Sequence, residues 1–121
     1  MGIDIYLRWD EMTEAERKAQ YTGFSIEHGH VGYLREAYSG APYATRVLMP
    51  EAFDDDAPED GVRIPAATLR ERLPDTLDAC RERERLIYKS DDAPTRAFED
   101  FVQLAERLET EGRNPRVIAS Y

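Results

Sequence analysis

Cysteine, histidine and long apolar runs are scarce in this sequence, and each scarcity removes a class of architecture. One cysteine, Cys80, occurs in 121 residues. A lone thiol excludes a disulfide framework within the chain and a cysteine-rich zinc site. The only histidines are His28 and His30. No apolar stretch approaches the roughly 18 residues that a membrane span requires. The opening MGIDIYLRWDEM lacks the basic and apolar regions of a signal peptide. A basic surplus is missing too: 16 lysines and arginines face 25 acids, for a net charge of −9. Proteins that grip a nucleic-acid backbone release counterions through a basic stripe, and anionic lipids also attract basic clusters. Direct nucleic-acid binding and membrane association are therefore not expected. A soluble, cytoplasmic protein is.

Hydrophobic residues make up 41% of the chain and aromatics 10%, enough for a core and too many for a disordered segment. The length suits one compact domain over residues 1–121. The charge is unevenly spread. Residues 51–60, EAFDDDAPED, carry six acids and no base, two thirds of the net charge.

Along GIDIYLRW, residues 2–9, Ile3, Ile5, Leu7 and Trp9 alternate with Asp4, Tyr6 and Arg8, the pattern of a half-buried strand. Thr13 and Glu16 form a capping box that opens a short polar helix over 14–20, ending near Gly23. The spacing of Val31, Leu34, Arg35 and Tyr38 predicts two helical turns over 31–38. Tyr43, Thr45 and Val47 then favour a strand over 43–49. Residues 51–61 read as a solvated loop, and 62–64 as a short extended piece. A helix is expected over 66–73, with Pro74 beginning a second that puts Leu77, Cys80, Ile87 and Tyr88 largely on one face. Pro94 and Thr95 start another, where Phe98, Phe101, Val102, Ala105 and Leu108 give the clearest amphipathic stripe. Residues 116–121 form a closing strand. The charged run RERER, residues 81–85, is expected to face the acidic last helix. The resulting fold is α+β: a small antiparallel or mixed sheet of N-terminal, middle and C-terminal strands, covered on one face by C-terminal helices.

Candidate chemistry concentrates in EHGHVGYLREAYSGAPYATR, residues 27–46. Glu27, His28 and His30 carry metal-ligand chemistry, but a zinc site needs three or four protein ligands, and Gly29 suits a turn better than a strand interior. Either histidine can act as a general base toward Ser25, Ser39, Thr45 or water, yet no nucleophile-elbow pattern accompanies them. The glycines match neither a P-loop nor a dinucleotide fingerprint. Tyr33, Arg35, Tyr38, Tyr43 and Arg46, with Phe24 and Trp9, form a set rich in the residue types of binding hot spots. Core packing of the tyrosine rings is the competing account. The acids Asp54, Asp55, Asp56, Glu59 and Asp60 offer contact or steering for a basic partner.

These readings favour a non-catalytic, acidic protein-binding module without a cofactor, acting as an inhibitor or regulator through protein–protein contact. Mobile-element inhibitors of nucleic-acid-handling machinery provide a class analogy. One alternative is a small hydrolase or metal-dependent enzyme centred on His28 and His30. Another is an anion-binding domain that uses Arg35, Arg46 and the tyrosines.

Overall fold

The structure, a computed structural model, describes residues 2–22 and 28–121. Its sheet is built on β1, Gly2–Arg8. Ile3, Ile5 and Leu7 alternate onto its inner face with at most 1% exposure, and Trp9 follows at 5%. This face is the reason β1 occupies the centre of the sheet. It pairs antiparallel with β2, Tyr33–Ala37, on one side and with β3, Arg116–Ser120, on the other. The expected pairing of opening and closing strands is present, with Asp4 opposite Ser120 and Arg8 opposite Arg116.

The capping box forms as the sequence predicts. Glu16 N–H donates to Thr13 Oγ1 at 3.1 Å, and Thr13 N–H donates to Glu16 Oε1 at 2.9 Å. It opens α1, Glu14–Tyr21. The anticipated end at Gly23 lies outside the described residues. This mostly polar helix is pinned by Gln20, which is fully buried and donates its amide to the carbonyls of Leu7 (2.8 Å) and Val31 (2.9 Å).

Two segments between α1 and the long helices differ from expectation. Residues 31–38 do not form a helix. A 3-10 turn, Gly29–Val31, ends at Gly32 with φ 84°, and β2 follows. The left-handed residue breaks helical continuation, and the free edge of β1 then captures the chain. Leu34 and Glu36 turn inward opposite Ile5 and Ile3, so the operative period is two.

Residues 43–49 in turn do not form the middle strand. They contain α2, Ala44–Leu48, followed by a 3-10 turn over Pro50–Phe53. Glu36 decides this outcome. Its carboxylate accepts from Ala44 N–H (2.8 Å), Thr45 N–H (3.2 Å) and Thr45 Oγ1 (2.6 Å). A carboxylate at a helix N-terminus satisfies otherwise unpaired donors and complements the helix dipole. That outweighs the modest strand preference of Tyr, Thr and Val.

The helical half is simpler than expected. Residues 66–88 form one helix, α3, Ala66–Tyr88, with Pro74 inside it. An internal proline costs about 3 kcal/mol. Here the apolar face formed by Leu69, Leu73, Ala79 and Cys80 continues unbroken past it, and burial at about 25 cal/mol per Å² offsets the lost bond. The last helix, α4, Thr95–Thr110, buries Phe98, Phe101, Val102, Ala105 and Leu108 as its stripe predicts. The two helices run antiparallel, with Arg70 Nε to Glu106 Oε2 at 3.1 Å and Ala66 N–H to Glu109 Oε2 at 2.9 Å. The RERER run does not make this contact. Arg81 pairs with Asp78 on its own helix, and Arg83 turns into the protein. Among the described residues, no helix is long and apolar enough to cross a membrane.

Candidate functional site: an aromatic–arginine strip beside an acidic loop

The structure divides the five Tyr/Arg candidates between two places. Tyr33 and Arg35 lie on the sheet face opposite the inner one, beside Asp4. Tyr33 has no exposed surface, which leaves it nothing to offer a partner. Its hydroxyl donates to Asp4 Oδ1 at 2.5 Å, and Arg35 Nη1 reaches the same oxygen at 2.8 Å. Burial, then the bond to Asp4, pushes the Tyr33 hydroxyl pKa well above its usual value. Tyr6 stacks between Tyr33 and Tyr21 at 5.3 Å from each, and the Arg8 guanidinium lies 5.1 Å from Tyr6 and 5.6 Å from Tyr21. Trp9 belongs to the core.

Tyr38, Tyr43 and Arg46 come together elsewhere, and two residues absent from the sequence-derived set join them. Tyr38 meets Tyr43 edge-on at 6.2 Å. The Arg46 guanidinium lies 5.9 Å from the Tyr43 ring, 4.4 Å from Phe53 and 5.7 Å from Tyr121. Phe53 and Tyr121 are 5.1 Å apart, and the Tyr121 hydroxyl donates to Phe53 O at 3.0 Å. The result is a strip of rings bridged by one cation. Tyr38 and Tyr121 are its exposed rings, at 42% and 52%, whereas Tyr43 and Phe53 are half-buried against the core. Phe53 and Tyr121 share no sequence neighbourhood. The one available signal was that Phe53 lies within the acidic block 51–60, directly before Asp54.

Buried charge supports the strip from below. Arg83, 5% exposed, donates to the carbonyls of Ala37 and Gly40, and to Pro42 O at 3.4 Å. Its guanidinium lies 4.9 Å from the Tyr43 ring, and its Nε is 3.8 Å from Glu36. One side chain thus holds the 37–42 bend, which contains a cis Ala41–Pro42 bond, and backs Tyr43. Cys80, also in this region, is buried, and burial followed by the Glu36 charge pushes its thiol up to about 12. It is a protonated core residue at neutral pH.

The acidic loop borders Phe53. Asp54, Asp55, Asp56, Glu59 and Asp60 are all exposed, and among the described residues no ion pair engages their carboxylates. Two turns shape the loop, with Ala57 N–H on Asp54 O and Gly61 N–H on Pro58 O, each at 3.0 Å. Its base is anchored by Arg72, which contacts Glu51 through two bonds of 2.7 and 2.9 Å. Arg72 holds the Glu51 carboxyl pKa below its usual 4.5. A carboxylate with a lowered folded-state pKa stabilises the fold above its unfolded value, and that contribution disappears as pH falls through the folded value. The pair is partly exposed and is worth at most about 1 kcal/mol. Glu51→Gln should therefore weaken urea resistance slightly at pH 7 and by less at pH 3. An equal loss at both pH values would remove the pairing from the account.

His28 and His30 lie in and beside the 3-10 turn, with ring centroids 6.0 Å apart. His30 is exposed, whereas His28 Nδ1 is buried without a hydrogen-bond partner among the described residues. Gly29 between them packs against α4: a Cβ there would sit 1.8 Å from Ala97 O. Among the described residues, no three His, Cys, Asp or Glu side chains come together as metal ligands. Glu27 and Ser25 lie outside those residues. Thr45 bonds Glu36, and Ser39 bonds the Tyr88 hydroxyl at 2.8 Å. The strip and loop offer stacking, cation–π contact and charge pairing, which are means of holding a partner. The chain matches no family model, no curated protein and no solved structure.

Proposed function

We propose that this protein is a non-catalytic binding module that acts as an inhibitor or regulator by gripping a protein partner with a basic surface. One observation carries the reading: an aromatic–arginine strip, open at Tyr38, Arg46 and Tyr121 and half-buried at Tyr43 and Phe53, runs into five exposed carboxylates that form no ion pair within the described residues. Aromatic side chains and arginine supply large contact areas with polar ends, and unspent acidic charge attracts and orients a basic partner. Both are features of recognition surfaces.

The test is affinity capture from the native cell with three baits: the parent protein, Tyr38→Ala/Tyr121→Ala, which truncates the two exposed rings, and a variant with Asp54, Asp55, Asp56, Glu59 and Asp60 neutralised to the amides. A partner retained by the parent should bind the aromatic double variant at least about 30-fold more weakly, since hot-spot truncations cost about 2 kcal/mol or more. Association with the neutralised variant should be slower and less sensitive to salt. A partner that binds all three baits alike would place recognition elsewhere.

A further inference from the structure

The outer edge of β3 is occupied at one position and empty two residues later. Val62 pairs with Val117 through two mutual backbone bonds of 2.9 Å, on the side of β3 away from β1. Backbone groups alternate sides along a strand, so the N–H and C=O of Ala119 face the same outer edge. Among the described residues, nothing bonds to them. The chain that fills the edge at Val117 cannot do so at Ala119, because Gly61, with φ 105°, turns it away. The loop stays tied to this end of the sheet by Arg116 Nε on Asp60 O at 3.2 Å and by Tyr121 against Phe53. Between strand and loop lies a cavity of about 270 Å³. Val117, Ala119 and Tyr121 form one wall, with Asp54, Asp55 and Glu59 across from it.

The geometry points to strand addition at this edge: an extended, basic segment of the partner pairs its backbone with Ala119, much as Val62 pairs with Val117. Charge complementarity selects the occupant. Asp54, Asp55 and Glu59 border the cavity, so cationic side chains at the paired residue and two positions to either side, which share one face of the strand, meet carboxylates that form no ion pair among the described residues. Strand addition draws affinity from main-chain bonds and specificity from neighbouring side-chain sites. This inference rests on the protein-contact reading above and specifies how the partner is held.

The probe is the peptide acetyl-Arg-Val-Arg-Val-Arg-amide, followed by amide NMR of the intact protein. The Ala119 and Tyr121 amides should shift and become protected from exchange. N-methylation of the central peptide residue should weaken binding about tenfold, as expected for loss of a backbone bond. Ala119→Pro should weaken it similarly while preserving the fold, because the donor removed points away from β1. If that variant does not fold, the N-methylated peptide still decides the question. Equal binding of the N-methylated peptide, or of acetyl-Glu-Val-Glu-Val-Glu-amide, overturns strand addition. Ala119 protection that instead follows protein concentration, with matching self-association in sedimentation, also overturns it. Shifts confined to Tyr43 and Arg46 overturn strand addition while leaving the protein-contact reading intact; that reading fails only in the capture experiment.

Discussion

Replacing Arg83 by methionine should cost the fold about 3–5 kcal/mol, measured by urea unfolding at pH 7, the loss associated with breaking a buried ionic contact from one side. Methionine keeps most of the volume, so the loss reports on the guanidinium. The part-buried Ala37, Gly40 and Pro42 carbonyls would lose their shared donor, and the buried Glu36 carboxylate would lose its cationic neighbour. Glu36 would retain its bonds from Ala44 and Thr45, so α2 should persist while the 37–42 bend loosens. Faster amide exchange at Tyr38 and Ser39, with unchanged exchange in α4, is the expected signature. A variant within 1 kcal/mol of the parent, on the scale of an exposed ion pair, would show that Arg83 is an ordinary surface cation despite its burial.

Gly29→Ala should be nearly as damaging, by a different route. The new methyl group would fall 1.8 Å from the Ala97 carbonyl oxygen, and the nearest atoms are all helix backbone. No rotamer change relieves such a contact, so the 3-10 turn must lift from α4. Overpacking costs typically 1–3 kcal/mol and occasionally more, and this case belongs at the upper end. His28→Ala and His30→Ala should each cost less than Gly29→Ala in the same thermal melt. The opposite order would mean that the histidines, and not the glycine between them, explain the His-Gly-His sequence. The glycine's role here is close helix packing, a reason independent of any chemistry at the imidazoles.

The elements legible in the sequence are those whose cause is local. The alternation of Ile3, Ile5 and Leu7, the Thr13–Glu16 box and the Phe98–Leu108 stripe each carry their own explanation within one window. The misread elements depend on distant atoms. Residues 44–48 are helical because a carboxylate from β2 reaches their N-terminus, and Glu36 looks like any other acid until the sheet forms. Arg83 sits in a charged run that resembles a solvated face, yet it points inward. Gln20 is similarly inconspicuous. Pro74 has the local look of a helix start, and only the continuous buried face on both sides of it shows otherwise. The candidate site follows the same rule. Tyr38, Tyr43 and Arg46 were accessible from a single segment, whereas Phe53 and Tyr121 reach them through the fold. Tyr33 shared their composition but faces the other side of the sheet.

The position of β1 also constrains how the protein is made. It is the central strand, yet its partners are β2, some thirty residues on, and β3, at the far end of the sequence. Joining Asp4 to Ser120 closes a loop that spans almost the whole chain, and such non-local pairings slow folding because their entropy must be met before the contacts form. β2 can cover one edge of β1 well before β3 is in reach, so the edge that β3 fills is the one left open longest. The hairpin of α3 and α4 has only local contacts to make and can assemble beforehand. Ile3, Ile5 and Leu7 share one core with the buried faces of these helices, so the helical layer can cover the apolar side of β1 before the most distant strand pairing closes.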